Sequence, residues 1–254
     1  METLKKNIGA VLLLLLISIV PAGAKAAGEG GYRMRSVDID LADRAALQRG
    51  AKYFINYCLS CHSASYMRYK RMATDLGLTD KEVEQDLMFA TDKIGSTMTV
   101  AMPPAGAKKW FGAAPPDLSV RARARGTDWI YNYLLSFYLD SSRPTGVNNI
   151  TFPNTAMPDV LWELQGLQEP EYEEVTDAAG NKHRVIQDLK LAHKGEMNPA
   201  EYRRTVKDIV TFLAYVGEPA QLIRYNVGIW VLLFLALFFA VSYGLYKEYW
   251  KDVH

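Results

Sequence analysis

The chain has 254 residues, with 29 Lys and Arg against 28 Asp and Glu for a formal net charge of +1. So even a balance leaves no electrostatic footprint for nucleic acid, and no nucleic-acid partner is expected. No internal repeat or low-complexity stretch interrupts the middle of the chain, where about 200 residues suffice for one core.

The first segment reads as an export leader. Lys5 and Lys6 precede an apolar run over 11–20, and small residues follow through Ala24-Lys25-Ala26. A basic start, an apolar centre of this length and an A-x-A pattern define a secretory signal over 1–26. The run is too short to span a bilayer comfortably. Next comes a predicted helix over 43–57, with Asp43 as N-cap and Leu47, Ala51, Phe54 and Cys58 on one face. Gly50 within it allows a partner element to approach closely.

That helix delivers Cys58-Leu59-Ser60-Cys61-His62, which holds both cysteines and one of only four histidines in the chain. C-x-x-C-H is the attachment pattern for a c-type haem. Each thiol forms a thioether with one vinyl group, and the adjacent imidazole serves as proximal iron ligand. One helical turn after Cys58 returns Cys61 and His62 to the same side. A redox C-x-x-C needs a βαβ setting and a zinc site needs a second ligand pair; the sequence supplies neither. Covalent haem attachment also fits export, because it occurs on the oxidising side of the membrane.

The stretch that follows carries many Pro and Gly breaks and few strand patterns. From 144 to 181 it has no Lys or Arg but contains Asp159, Glu163, Glu169, Glu171, Glu173, Glu174 and Asp177. Such a one-signed patch would steer a basic carrier. A second helix starts at Asn198, with Pro199 in its first position and Glu201 completing an N-cap/N3 pair. Its apolar stripe is Tyr202, Val206, Ile209, Val210, Leu213 and Val216, and Gly217 and Pro219 stop it. A terminal helix crossing a haem-bearing helix is how class I c-type cytochromes close. The expected architecture is an all-α haem domain with long loops.

Residues 227–246 carry no charge. At 1.5 Å per residue they make roughly 30 Å of helix, the thickness of the hydrocarbon core. Trp230, Tyr243, Tyr246, Tyr249 and Trp250 lie near the ends as interfacial aromatics do, and Lys247 and Lys251 direct the tail to the cytoplasm. The expected organisation is a leader over 1–26, a periplasmic haem domain over 27–223, and an anchor with short tail over 224–254.

A sixth iron ligand remains to be found. His183 and His193 lie in polar segments, and His254 falls on the wrong side of the membrane. A thioether favours ferrous iron and raises the potential. Met102 and Met157 both precede Pro in Gly/Pro-containing loops, which suits a ligand on stiff, extended backbone. Sequence mechanics leaves both open.

The order of motifs adds a family. CLSCH is followed by Ala114-Pro115-Pro116-Asp117-Leu118-Ser119, the basic run Arg121 to Arg125, and Arg143-Pro144-Thr145-Gly146. Then come Phe152-Pro153-Asn154-Thr155-Ala156-Met157-Pro158, the capped helix and the anchor. Over essentially the whole mature chain this resembles the cytochrome c1 family, the haem subunit of the cytochrome bc1 complex. The resemblance implies one covalent haem c on Cys58 and Cys61, with His62 proximal and Met157 distal. It implies that Pro115, Pro116 and Leu118 line the haem face and that Arg125 pairs with a propionate, a role suited to a permanently charged donor. Arg121 and Arg123 are the alternatives to Arg125. Trp129 stands where the family tends to carry a tyrosine. The run over 95–106 has no family role, and Met102 stays as rival ligand.

A His/Met iron has no open position, so it gains and loses one electron. By the resemblance, the chain is a redox subunit of a quinol–cytochrome c oxidoreductase and not catalytic alone. Its implied partners are cytochrome b, a Rieske iron–sulfur donor, a soluble cytochrome c acceptor and a dimeric complex in a bacterial inner membrane. The alternative is a free-standing membrane-anchored cytochrome feeding a terminal oxidase or reductase.

Overall fold

The computed structural model of the chain describes residues 32–100, 102–176 and 181–252. The leader read over 1–26 and His254 lie outside those residues. In chain order the elements are α1 (Arg44–Tyr53), a π-helical turn (Phe54–Cys58), β1 (Ala64–Arg68), α2 (Tyr69–Leu76), α3 (Asp80–Asp86), β2 (Thr97–Met98) and α4 (Pro104–Phe111). They continue with α5 (Arg121–Arg125), α6 (Thr127–Leu135), β3 (Phe137–Leu139), β4 (Val147–Asn149) and α7 (Trp162–Gln165). The series closes with β5 (Gly166–Thr176), β6 (Lys182–Lys194), α8 (Pro199–Gly217) and α9 (Gln221–Tyr249).

The two helices expected from the apolar stripes form the centre. Asp43 caps α1 by accepting from the Ala46 amide at 3.0 Å. Asn198 caps α8 by accepting from the Ala200 and Glu201 amides, while Glu201 reaches back to the Asn198 amide at 2.9 Å. Every residue of the predicted α8 stripe is buried. The helices cross at Gly50, where a Cβ would lie 2.1 Å from the Asp208 carbonyl oxygen. No side chain fits such a gap, so the crossing requires glycine. Beside it Arg49 donates through Nε and Nη2 to both oxygens of Asp208, at 2.6 and 3.0 Å. Phe54 packs on Phe212 with ring centroids 5.4 Å apart.

The all-α expectation is corrected by three two-stranded antiparallel sheets among the described residues, β1–β2, β3–β4 and β5–β6. The largest is a long hairpin that begins within the acidic stretch. Both of its strands are mostly solvent-exposed, so neither displays the apolar alternation by which a half-buried strand announces itself. Register shifts at Leu167/Gln168 and Glu171/Tyr172 disturb the period further. At its base Gly166 and Gly195 pass so closely that a Cβ on Gly166 would lie 2.0 Å from the His193 carbonyl oxygen.

On that hairpin Glu169 sits opposite Lys190 and Glu174 opposite Arg184, while Glu171 faces Asp188 and Glu173 faces Val185, so β6 answers part of the acidic charge of β5.

α9 is 29 residues long and is the one helix among the described residues long and apolar enough to cross a membrane. Its apolar stretch buries nothing against the domain. Only Glu218, Pro219 and Ala220 separate it from α8.

Candidate haem site

The π-helical turn ends α1 at Cys58, and the chain then coils tightly: the amides of Cys61 and His62 both donate to the Cys58 carbonyl, at 3.1 and 2.8 Å. This turn aims both thiols and the imidazole at one cavity of about 340 Å3, within the size range of small-molecule sites. Both cysteines are free thiols. Burial, and secondarily Cys61, pushes the Cys58 thiol up to about 12. That is opposite to the depressed value on which thiol exchange depends. Among the described residues no group of three His, Cys, Asp or Glu gathers as a metal cluster would.

His62 Nδ1 lies 2.8 Å from the Pro116 carbonyl oxygen. A carbonyl only accepts, so the proton sits on Nδ1 and Nε2 keeps its lone pair. Burial holds the ring below the ordinary histidine value, against the Pro116 carbonyl, which pulls the other way. A neutral ring with its tautomer set by a second partner is the form a metal ligand takes.

The loop carrying Pro116 is tied to the segment that follows the haem motif, chiefly through Asp117 and Ser119, which the sequence reading named without giving them a role. Asp117 accepts from the Ser65 amide and hydroxyl at 3.0 and 2.6 Å and from the Ser119 amide at 2.8 Å. The Leu118 amide donates to Ser63 at 2.8 Å, and buried Ser119 accepts from the Tyr66 amide at 3.1 Å. Burial alone would raise the Asp117 carboxyl; the hydrogen bonds from Ser119 and Ser65 outweigh it and hold it below the usual range.

The basic run forms the short helix α5. Arg121 and Arg125, one turn apart, both line the cavity, while Arg123 lies against Gly217 at the end of α8. The Arg125 guanidinium stacks 5.0 Å above the Trp129 ring, which stacks on Tyr133 at 5.2 Å and meets Phe152 edge-on at 6.1 Å. Three aromatic rings thus give one wall a rigid face.

All eight residues expected at the site line this cavity: Cys58, Cys61, His62, Pro115, Pro116, Leu118, Arg125 and Met157. Met102 is not among the lining residues, and His183 and His193 lie exposed on β6. The sequence reading missed Ile209 and Leu213, which it assigned to the core stripe of α8 and which also floor the cavity. It also missed Phe111, the last residue of α4, and Ala113 just beyond it, which line the cavity.

The Cytochrome C1 family profile matches residues 38–253. The chain belongs to the cytochrome c1 family. It is 49% identical over 244 residues to cytochrome c1 of Allochromatium vinosum, covering 96% of this chain and 99% of that protein. It is 43% identical over 242 residues to a protein of Nitrosomonas europaea named ammonia monooxygenase gamma subunit, covering 95% and 97%. It is 26% identical over 269 residues to cytochrome c1 of Rhodospirillum rubrum, covering 91% and 92%.

Family members carry a covalently bound haem c and form the electron-transfer subunit of the bc1 complex. The cavity fits that group: two thiols, an imidazole whose Nδ1 is tied to Pro116 so that Nε2 can serve as a ligand, a thioether, and two guanidiniums share one otherwise apolar enclosure. Membership together with α9 makes this a membrane-anchored subunit of that complex.

Proposed function

We propose that this chain holds one haem c through Cys58 and Cys61, with His62 and Met157 as axial ligands, and passes electrons from a Rieske iron–sulfur protein to a soluble cytochrome c. The observation that carries this reading is the convergence of the His62 imidazole, both thiols and the Met157 side chain on one apolar cavity. When bound, haem c supplies a one-electron ferric/ferrous couple with no open coordination position.

The chain's own residues do the rest. Pro116 fixes the His62 tautomer through its carbonyl, and Asp117 and Ser119 fix the Pro115–Pro116 segment against β1. Pro115, Pro116 and Leu118 present apolar surface to the macrocycle, with Ile209 and Leu213 excluding water from below. Arg125 offers a permanent charge to a propionate, steadied by its stack on Trp129. The α1–α8 crossing supports a class I haem-domain arrangement, with β-hairpins added to it.

The finer placement belongs to the same reading. A leader over 1–26 is removed on export, 27–223 form a periplasmic domain, and 224–254 anchor it with the tail in the cytoplasm. The complex is dimeric, and cytochrome b packs beside α9. The chain is a redox subunit of a quinol–cytochrome c reductase and does no chemistry alone.

The test is a reduced-minus-oxidised spectrum of purified membranes with and without Met157→His. The variant should lose the ferric sulfur-to-iron absorption and drop in potential; an unchanged spectrum would sink the assignment. The relative named as an ammonia monooxygenase subunit motivates a second reading, in which the same domain serves a different membrane oxidoreductase. Solubilised protein discriminates: the first reading yields a complex with a b-type cytochrome and an iron–sulfur protein, and the second does not.

A further inference from the structure

The loop carrying Met157 is built unlike an ordinary surface loop. Asn154, three residues before Met157, has φ +62°, the one described non-glycine residue with positive φ. Left-handed backbone is unfavourable for residues with a Cβ, although Asn tolerates it better than most, so something must hold it there. Arg143, within the β3–β4 turn, does so. Its Nη1 donates to Asn154 Oδ1 at 3.1 Å and its Nη2 to the Asn154 carbonyl at 3.2 Å. The Asn154 amide donates to Asn148 Oδ1 at 2.8 Å, and Asn148 is anchored in turn on Asp140 at 2.9 Å.

The amide, the carbonyl and the Oδ1 of Asn154 are therefore all engaged, two of them by one guanidinium. The remaining Arg143 donor, Nε, is buried without a hydrogen-bond partner. A buried donor left unpaired is unfavourable, so Arg143 sits where it does for the sake of its two outer nitrogens. From Asn154 the order passes along the loop: buried Thr155 shares a 2.8 Å hydrogen bond with Tyr133 Oη and accepts from the Met157 amide at 3.4 Å. Tyr133 itself lines the cavity.

We infer that Arg143 and Asn154 form a clamp that pre-orders the Met157 loop, making Arg143 a positioning residue for the distal ligand although it does not line the cavity. The inference rests on Met157 being that ligand. A thioether is a neutral, weakly held donor, and a loop ordered in advance spares its attachment the entropy of freezing several residues. Without the guanidinium, Asn154 loses two partners and left-handed backbone loses its support. The loop then samples shapes in which the Met157 sulfur is withdrawn, and an outside ligand gains access.

The experiment uses the full-length haem-loaded protein in detergent, with Arg143→Ala, Arg143→Lys, Asn154→Gly and Met157→His. Ferric sulfur-to-iron absorption and carbon monoxide binding by the ferrous form are measured, and a haem-stained denaturing gel checks covalent attachment. Arg143→Ala should weaken the absorption and raise carbon monoxide affinity about tenfold, equivalent to about 1.4 kcal/mol, with haem still attached. Arg143→Lys, which keeps charge but loses the fork, should fall between. Combining Arg143→Ala with Asn154→Gly should add little to either alone.

If Met157→His abolishes the absorption while Arg143→Ala leaves absorption and affinity at wild-type values, the clamp is refuted and the ligand assignment stands. If Met157→His leaves the absorption intact, both are overturned. Should Arg143→Ala fail to accumulate, Arg143→Lys and Asn154→Gly decide on the same two readouts.

Discussion

At the scale of single residues, the site depends on hydrogen bonds that a list of ligands does not contain. Asp117 is one carboxylate holding the Pro115–Leu118 segment to β1 through two hydrogen bonds from Ser65, with a third from the Ser119 amide inside the loop. Its folded value is depressed, so its contribution to stability is present above the unfolded carboxyl value, near 3.8, and is lost as pH falls through the folded one. Asp117→Asn should lower the denaturant midpoint at pH 7. The gap to wild type should close as the pH is taken below about 4; a gap independent of pH would show that the charge is irrelevant. Cys58→Ala leaves one thiol, and its haem-stained band should weaken strongly, with whatever haem it retains on a single thioether.

Helices and strands repeat the lesson in packing terms. Gly50→Ala places a methyl group against the backbone of α8. Overpacking of this kind costs about 1–3 kcal/mol, which for a domain of this size lowers the melting temperature by roughly 2–4 °C per kcal/mol. Differential scanning calorimetry of the holoprotein reads it directly. Asn198→Ala removes a cap that satisfies two amides of α8 and should cost about 1 kcal/mol in the same assay.

These two helices were legible because burial on one side and capping at the end write themselves into residue order. The haem motif was legible for a related reason: covalent attachment demands neighbours in sequence. The β5–β6 hairpin was not, because both its strands face water, β5 carrying acids alone and β6 mixed charge. Nor did residue order alone separate Met157 from Met102, since both precede proline. The family resemblance chose Met157, and only the folded chain shows one lining the cavity and the other outside it. Ile209 and Leu213 were placed correctly in the core, but a stripe pattern does not distinguish packing against protein from facing a cavity.

For the whole molecule, α9 and the domain are separate in energetic terms. The apolar stretch of α9 is exposed along its length, with Trp230 at 75% and Phe239 at 69%. A chain ended after Arg224 keeps the Glu218–Arg224 ion pair and the partly buried Leu222. It should melt with the full-length domain, within about 0.5 kcal/mol, and appear in the soluble fraction with its haem. If such a chain instead stayed assembled in a purified complex, helix packing in the bilayer would be dispensable.

The α8–α9 junction is brief. Leu213, on the cavity floor, lies four residues before α8 ends at Gly217, about 6 Å of helix. Three more residues, at most about 10 Å of chain, reach α9, and six residues of that helix, about 9 Å, precede its uncharged run from Val227. The stem joining cavity floor to anchor is therefore short and largely helical, which limits how far the domain can swing about its tether.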